Sequence, residues 1–308
     1  MRYNTYRALV RKGDVEVSEP SPPTLEEAGG SYLLATRTLM MYRAAVAVYV
    51  VVITLVQLRT MGTFVIKYYT FWNWNLLGLY FAAAALASST YARASGKGQH
   101  TSNVSPTMTS RLMHSLPSVV TLLFHVNITT VAIVDITTWT VLFPMLTKHT
   151  TPEMAAVFRS MFLNYVSYNQ HGANAGLILV DMMLGRLAFF PHMVGYAGLW
   201  SLLFVAWANI WHGISGSWLY PFLDTKETWA PLAYGGLYLA HIVFYLAVWG
   251  SFWLRGRLLW EQMLAQSRPS RVSDQPGVSV RAAAGRQQQA NGAHGLSLDT
   301  QTGGKKGL

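Results

Sequence analysis

Cysteine is absent from all 308 residues, and charged side chains are scarce. The first absence excludes disulfides, zinc–thiolate sites and a cysteine nucleophile. Charged residues make up 12% of the chain, about half the 25% or so that is typical of soluble domains. In their place the chain is 52% hydrophobic and holds 11 Trp and 16 Tyr, residue types that favour membrane–water interfaces. This composition predicts a membrane protein.

Several functional motifs are also missing. The sequence contains no HExxH zinc motif, no glycine-rich phosphate loop and no GxSxG nucleophile elbow, so we predict no metal and no cofactor. The formal net charge is +10. The basic residues lie between apolar blocks and in the two tails, without a basic helix face that carries aromatics, so we predict no nucleic-acid partner.

The apolar residues are grouped in blocks of about twenty, the length that crosses a bilayer as a helix. Six spans are predicted: residues 41–58, 68–90, 117–142, 169–190, 194–213 and 230–254. The predicted fold is therefore an all-α, polytopic integral membrane protein with about six transmembrane helices in residues 39–256. Residues 1–38 are predicted to be a polar tail without a signal peptide, and residues 257–308 a disordered tail.

The distribution of Lys and Arg predicts the orientation. With the N-terminus inside, the inner segments hold eighteen of the 23 basic residues and the outer segments hold five. Basic residues mark cytosolic segments, so both termini are predicted to be cytosolic. The sequon at Asn103-Val104-Ser105 would then lie in the cytosol and carry no glycan.

Ionisable groups inside membrane spans are costly, which makes them functional candidates. The candidates are His125, Asp135, His171, Asp181, His212 and His241. Three polar residues lie near the outer ends of their spans: Thr70, His171 and His212. Asp135 lies about two turns, or ~10 Å, deeper.

This level of the bundle could support acyl transfer. A threonine hydroxyl becomes a nucleophile when a neutral imidazole takes its proton, and a carboxylate on the other ring nitrogen would orient that imidazole. We predict Thr70 as nucleophile and His171 as base, with Asp135 as the orienting group. Asn174 and His212 are supporting candidates. Possible oxyanion donors are Asn73, Asn174, Trp218 and Tyr220.

Plainer interpretations stay open. A threonine in a membrane helix usually bonds a carbonyl of its own helix, and a histidine there is often a structural interhelical partner. Asp135 and Asp181 could simply pair with neighbours, and His125 and His241 are interpreted as structural. The rival functions are a non-catalytic membrane protein and a small transporter with a polar path towards Asp181 and His125.

Five short motifs carry a resemblance to a known family. They are YYTFW at 68–72, LYF at 79–81, HGANA at 171–175 with Asp181 ten residues after the histidine, WLYPFLD at 218–224 and APLAY at 230–234. Residues 40–255 resemble the superfamily of androgen-induced and androgen-dependent TFPI-regulating proteins, and are closest to its plant and rolling-stone-like branch.

The resemblance implies a six-helix protein of the endomembrane system (endoplasmic reticulum) or plasma membrane. It also implies an activity, because the androgen-induced members hydrolyse fatty acid esters of hydroxy fatty acids. Those members use a threonine at the position of Thr70 and a histidine at the position of His171. The expected partners are membrane lipids and a hydrophobic ester substrate. Rolling stone itself is associated with myoblast fusion, which matches the non-catalytic alternative.

Overall fold

The computed structural model describes residues 22–96, 108–148 and 150–259. All of them belong to one unit, Met1–Met263. Most of both predicted tails (1–21 and 260–308) and the sequon at Asn103 lie outside the described residues.

Helices make up the described part of the chain, which contains no strand, and the predicted all-α class is confirmed. An isolated antiparallel bridge joins Ser31 and Gly185. The helices are α1 (Leu25–Gly29), α2 (Thr36–Met61), α3 (Tyr69–Gly96), α4 (Met108–Ile136), α5 (Phe143–Lys148), α6 (Pro152–Phe162), α7 (Tyr165–Tyr168), α8 (Asn174–Leu184), α9 (Val194–Ser215) and α10 (Ala230–Leu258). Two π-helical turns, Thr137–Leu142 and Asn169–Ala173, join α4 to α5 and α7 to α8.

Four helical segments among the described residues are long and apolar enough to cross a membrane: Thr36–Met61, Ser115–Lys148, Pro191–Ser215 and Ala230–Leu258. Segments of this kind are typical of an integral membrane protein. The other two predicted spans fall on α3 and on the α7–α8 segment. Helix α3 is 28 residues long but is interrupted by polar residues, and α8 alone has 11 residues. The count of six spans stays a prediction.

A short helix precedes the first long one, within the segment predicted to be a polar tail. Thr24 and Glu27 form a capping box that starts α1, so the donors of the first turn are satisfied. Ala28 is fully buried. Gly29 lies against α3 so closely that a Cβ there would be 2.6 Å from the carbonyl oxygen of Ala87. The fold therefore extends N-terminally of the first span.

The larger hydrophobic cluster surrounds α3. Trp74, Tyr80 and Phe81 are buried on this helix and pack with Phe124 of α4. Helices α2 and α3 approach closely at Gly78, where a Cβ would lie 2.7 Å from Cγ1 of Val50. This packing explains why a helix of moderate polarity can lie in the middle of the bundle.

A buried ion pair lies beside this cluster. Arg43 of α2 donates to both carboxylate oxygens of Asp181 of α8, at 2.7 and 3.0 Å. Its remaining nitrogen donates to the carbonyl of Ala28 and the hydroxyl of Ser88, and Tyr80 donates to Asp181. The ion pair joins α1, α2, α3 and α8.

A smaller cluster lies between the start of α3, helix α9 and the loop that leads to α10. Phe204, Ala208, Leu219, Phe222 and Leu223 are its main buried members. Tyr69, Trp72, Trp207 and Tyr220 pack against it. The two cavities described next are lined by this cluster and by the two π-helical turns.

Candidate functional site

Two cavities lie next to each other at this end of the described bundle. The larger has a volume of about 330 Å³, and we name it the polar cavity because Gln57, Thr70, Ser167, Gln170 and His171 line it. The smaller has a volume of about 180 Å³, and we name it the apolar cavity because its surface is almost entirely carbon. Thr70, Leu142 and Tyr220 line both.

Thr70 is the second residue of α3 and lies at the junction of the two cavities. Its hydroxyl interacts with the hydroxyl of Tyr220, whereas Thr129 and Thr130 of α4 bond carbonyls four residues back. The plainer interpretation predicted such a backbone bond for Thr70, and no such bond is present. The Thr70 side chain therefore lies at the wall of both cavities, beside Tyr220, without a bond to its own helix.

Tyr220 belongs to the loop between α9 and α10. Its hydroxyl oxygen accepts a hydrogen bond from the backbone N–H of Tyr69, at 3.1 Å. Burial raises the pKa of Tyr220 above its ordinary value, so the phenol keeps its proton at neutral pH. It is a hydrogen-bond donor beside Thr70.

His171 lies in the second π-helical turn, where its backbone departs from helical geometry (φ −130°, ψ 29°). Such turns are frequent at functional sites. Its Nδ1 is 3.0 Å from Oγ1 of Thr138, which lies in the first π-helical turn. The indole of Trp139 donates to the His171 carbonyl at 2.5 Å. The two irregular turns therefore contact each other at this histidine.

Thr70 and His171 line the same polar cavity, but no hydrogen bond joins them. The sequence analysis assigned these two residues to one level of the bundle, and in the structure both line the polar cavity. The hydroxyl that contacts the imidazole belongs to Thr138, a residue that the sequence analysis did not single out. Thr138 shares no motif with His171, so only the packing of the two π-helical turns could reveal this partner.

Asp135 and Asn174 bond each other and not the imidazole. The Asn174 amide donates to the Asp135 carboxylate at 2.8 Å and to the carbonyl of Gln170, also at 2.8 Å. Asp135 was expected to orient His171, and the structure pairs it with Asn174 instead. Asn174, the first residue of α8, thereby links the second π-helical turn at Gln170 to Asp135 of α4.

His212 lies away from both cavities. Its ring stacks on Trp218, with ring centroids 4.0 Å apart, and its Nδ1 is buried without a hydrogen-bond partner. Trp218 itself lines the polar cavity. His212 can therefore influence the site only through Trp218.

Two predicted oxyanion donors, Trp218 and Tyr220, line the polar cavity with Thr70, and Tyr220 also lines the apolar cavity with it. The Asn73 amide donates to the carbonyl of Tyr69, and its oxygen accepts from Trp200. Asn174 is engaged with Asp135. A carbonyl oxygen bound near Thr70 would therefore meet the phenol of Tyr220.

The histidines that were interpreted as structural have different environments. His125 is fully buried; its Nδ1 lies 2.7 Å from the carbonyl of Thr121, and its Nε2 accepts from the backbone of Phe190. His241 instead lines the apolar cavity and contacts the hydroxyl of Ser201 at 2.6 Å. The sequence analysis missed Ser201, because a single serine in an apolar helix carries no signal.

Within residues 22–96, 108–148 and 150–259, no three His, Cys, Asp or Glu side chains come close enough to hold a metal ion. In comparisons with known proteins, no family model, no curated protein and no solved structure matches the chain. The function must therefore be inferred from the site itself.

Proposed function

We propose that this protein is a membrane-embedded hydrolase of lipid esters, with Thr70 as nucleophile and His171 as base. The observation that carries the proposal is the position of Thr70 at the junction of the polar and apolar cavities. A hydrophobic ester needs such a junction, because its acyl chain favours carbon surfaces while its carbonyl and second oxygen need hydrogen-bond donors. Fatty acid esters of hydroxy fatty acids fit this description.

The proposed reaction has two steps. The Thr70 oxygen attacks the ester carbonyl while His171 takes the hydroxyl proton, and the alcohol leaves with that proton. Water then attacks the acyl-threonine, with His171 again as base, and releases the fatty acid. Tyr220 donates to the carbonyl oxygen as negative charge develops there.

His171 has to exchange one hydroxyl partner for another in this mechanism. Its Nδ1 contacts Thr138 in the ligand-free structure, whereas the reaction needs contact with Thr70. Catalytic hydrogen bonds are often long or absent without substrate and tighten in the complex. Because both residues line one cavity, a side-chain rearrangement within that cavity is the motion required.

The two rival functions have less support. A non-catalytic protein predicts that Thr70 bonds its own helix, whereas its hydroxyl interacts with Tyr220. A transporter predicts a polar path to Asp181 and His125, and neither residue lines either of the two cavities. Both of these residues are fully buried and paired.

The proposal includes a location. The chain would lie in the endoplasmic reticulum or plasma membrane with both termini in the cytosol, and take its substrate laterally from the lipid. Four apolar helices support the membrane location, and the excess of Lys and Arg in the predicted inner segments supports the orientation.

The test is labelling of the full-length protein in membranes with a fluorophosphonate probe, with the modified residue mapped by mass spectrometry. We expect label on Thr70, and at least about a hundredfold slower labelling of Thr70 in His171→Ala. Thr70→Ala should take no label at position 70. Thr140→Ala is the matched control, because Thr140 bonds the carbonyl of Ile136. Absence of label on Thr70 in the native protein would refute the mechanism.

A further inference from the structure

A second hydroxyl–imidazole pair faces the apolar cavity. The Oγ of Ser201 on α9 lies 2.6 Å from Nε2 of His241 on α10. The other ring nitrogen, Nδ1, lies 2.7 Å from the carbonyl oxygen of Leu237, one turn earlier on α10. Both side chains line the cavity. The pair therefore meets the distance requirement for proton transfer between nucleophile and base.

The positions of the protons follow from the partners. A carbonyl oxygen can only accept a hydrogen bond, so Nδ1 of His241 carries the proton that Leu237 accepts. In the neutral ring Nε2 then has a free lone pair, which can accept the Ser201 proton. This is the tautomer that a general base needs, and the Leu237 carbonyl holds it as the third member of a triad does.

Ser201 does not bond its own helix. Serines 215 and 251 donate to carbonyls four residues back, which is the usual arrangement in apolar helices. The Ser201 hydroxyl instead lies between two side chains, His241 and Tyr69, whose phenol oxygen is 2.5 Å away. Because Ser201 donates to His241, it accepts from Tyr69, and the phenol fixes the direction of the serine proton.

The apolar cavity leaves room next to this pair. Gly198 lies one turn before Ser201 on α9 and lines the same cavity, and a Cβ there would meet no atom within 4 Å. Most of the remaining surface is carbon, from α4, α9, α10, the start of α3 and the loop before α10. A long acyl chain would fit this surface, with its carbonyl next to Ser201 and His241.

We propose that Ser201 and His241 form a second nucleophile–base pair, which transfers acyl groups from esters with a long hydrophobic acyl chain. The pair uses a different hydroxyl and a different imidazole from the proposed Thr70–His171 pair, although Thr70 also lines the apolar cavity. An acyl-enzyme would then form at Ser201 on α9, in addition to the acyl-enzyme at Thr70 that the sequence predicts.

The reaction is balanced with water as the second substrate. The Ser201 oxygen bonds the ester carbonyl carbon while its proton moves to Nε2 of His241, and the alcohol leaves with that proton. Water then attacks the acyl-serine and gives its proton to His241, which returns it to Ser201 as the carboxylic acid leaves. The Tyr69 phenol lies next to Ser201 and would donate to the former carbonyl oxygen of the ester as negative charge develops there.

The experiment uses the full-length protein in its native membrane and a long-chain alkyl fluorophosphonate. The Ser201 oxygen would displace fluoride and stay phosphonylated, and digestion with mass spectrometry identifies the modified residue without any variant. We expect the label on Ser201, and at least about a hundredfold slower labelling of Ser201 in His241→Gln. Ser251→Ala is the matched control, since Ser251 bonds only the Ala247 carbonyl.

The mapped residue separates the two proposals. Label on Ser201 that persists in Thr70→Ala supports the second pair, whatever becomes of Thr70. Label on Thr70 with none on Ser201 in the native protein overturns the second pair and leaves the proposed function intact. If Ser201→Ala lowers stability, the mapping on the native protein still decides, because a purely structural Ser201 would take no label.

Discussion

The two hydrophobic clusters of the described bundle differ in how completely their polar groups are surrounded by other atoms. In the larger cluster, Arg43 and Asp181 have no exposed surface and are bonded on every side by Ala28, Ser88 and Tyr80. Beside the smaller cluster, the polar groups that line the two cavities are hydroxyls, amides and imidazoles, and they border open volume. The first network is filled and closed, and the second leaves room for a ligand.

The difference follows from the cost of desolvation. A buried ion costs several kcal/mol unless its partners are complete, so a charge inside the bundle requires close packing around it. A neutral hydroxyl or imidazole costs much less to bury and can tolerate an incomplete surrounding. Chemistry is therefore expected where the polar groups are neutral and next to a cavity, and rigidity where they are charged and enclosed.

The largest effect should come from breaking the ion pair. Asp181→Asn leaves the Arg43 charge buried without its counter-ion, and we expect a loss of about 3–5 kcal/mol in the free energy of unfolding. The exposed pair between Glu26 and Arg186 supplies the control: Glu26→Gln should cost about 0–1 kcal/mol. Denaturation of both variants in detergent measures the contrast. Equal costs would mean that burial does not distinguish the two pairs.

A smaller effect should follow from overpacking at α1. A Cβ at position 29 would lie 2.6 Å from the backbone oxygen of Ala87, and backbone cannot move aside easily. We expect Gly29→Ala to lower stability by about 1–3 kcal/mol. Gly176→Ala, where a Cβ meets no atom within 4 Å, should instead stabilise α8 by roughly 0.5–1 kcal/mol. Thermal denaturation that ranks the two variants the other way would contradict the close packing of α1 on α3.

Filling the apolar cavity should slow ester hydrolysis and leave the free energy of unfolding nearly unchanged. The space at Gly198 allows Gly198→Leu to place a side chain next to Ser201, and we expect hydrolysis of long-chain esters to slow by about tenfold or more. Turnover of a short-chain ester should change less, since its acyl group needs less of the cavity. Steady-state kinetics on a long and a short ester give the comparison, and equal slowing of both would argue against an acyl chain in this cavity.

The smallest effect should come from Thr138→Val, which removes the hydroxyl that His171 contacts and keeps the shape of the side chain. We expect a loss of about 1 kcal/mol in the free energy of unfolding, the usual value of one hydrogen bond. Labelling of Thr70 by fluorophosphonate should be kept, because His171 is then free to contact Thr70. Loss of all label in a folded Thr138→Val protein would instead identify Thr138 as the nucleophile.

Much of the helical architecture is readable from the sequence, because a long apolar block needs no partner to be recognised. Helices α2, α9 and α10 each contain a predicted span, and another lies in α4 together with the π-helical turn that follows it. All four segments are apolar enough to cross a membrane. Helix α3 and the segment 165–184 overlap the other two predicted spans. The polar residues of these two segments can be explained only by the neighbours that they contact in the structure. The small helix α1 lies in a polar stretch of the sequence, and its position depends on the close contact of Gly29 with α3.

In the candidate site too, the sequence predicts some features and leaves others to the tertiary structure. Thr70 and His171 could be assigned to one level of the bundle by counting residues along their spans, and they line one cavity. Their partners could not be assigned, because a hydrogen bond depends on side-chain positions within about 1 Å, whereas the depth of a residue in a span is known only to about one turn. Thr138 beside His171, Asn174 beside Asp135 and Ser201 beside His241 all belong to this second group.

By itself, then, the sequence determined the helical class, the positions of the apolar helices and the short list of costly polar residues, since these depend on local composition and length. Only the tertiary structure decided which of those residues pair. It enclosed Arg43, near the start of the first predicted span, in an ion pair with Asp181. It also placed an ordinary serine against His241, because contacts between distant helices are set by packing, which no local pattern records.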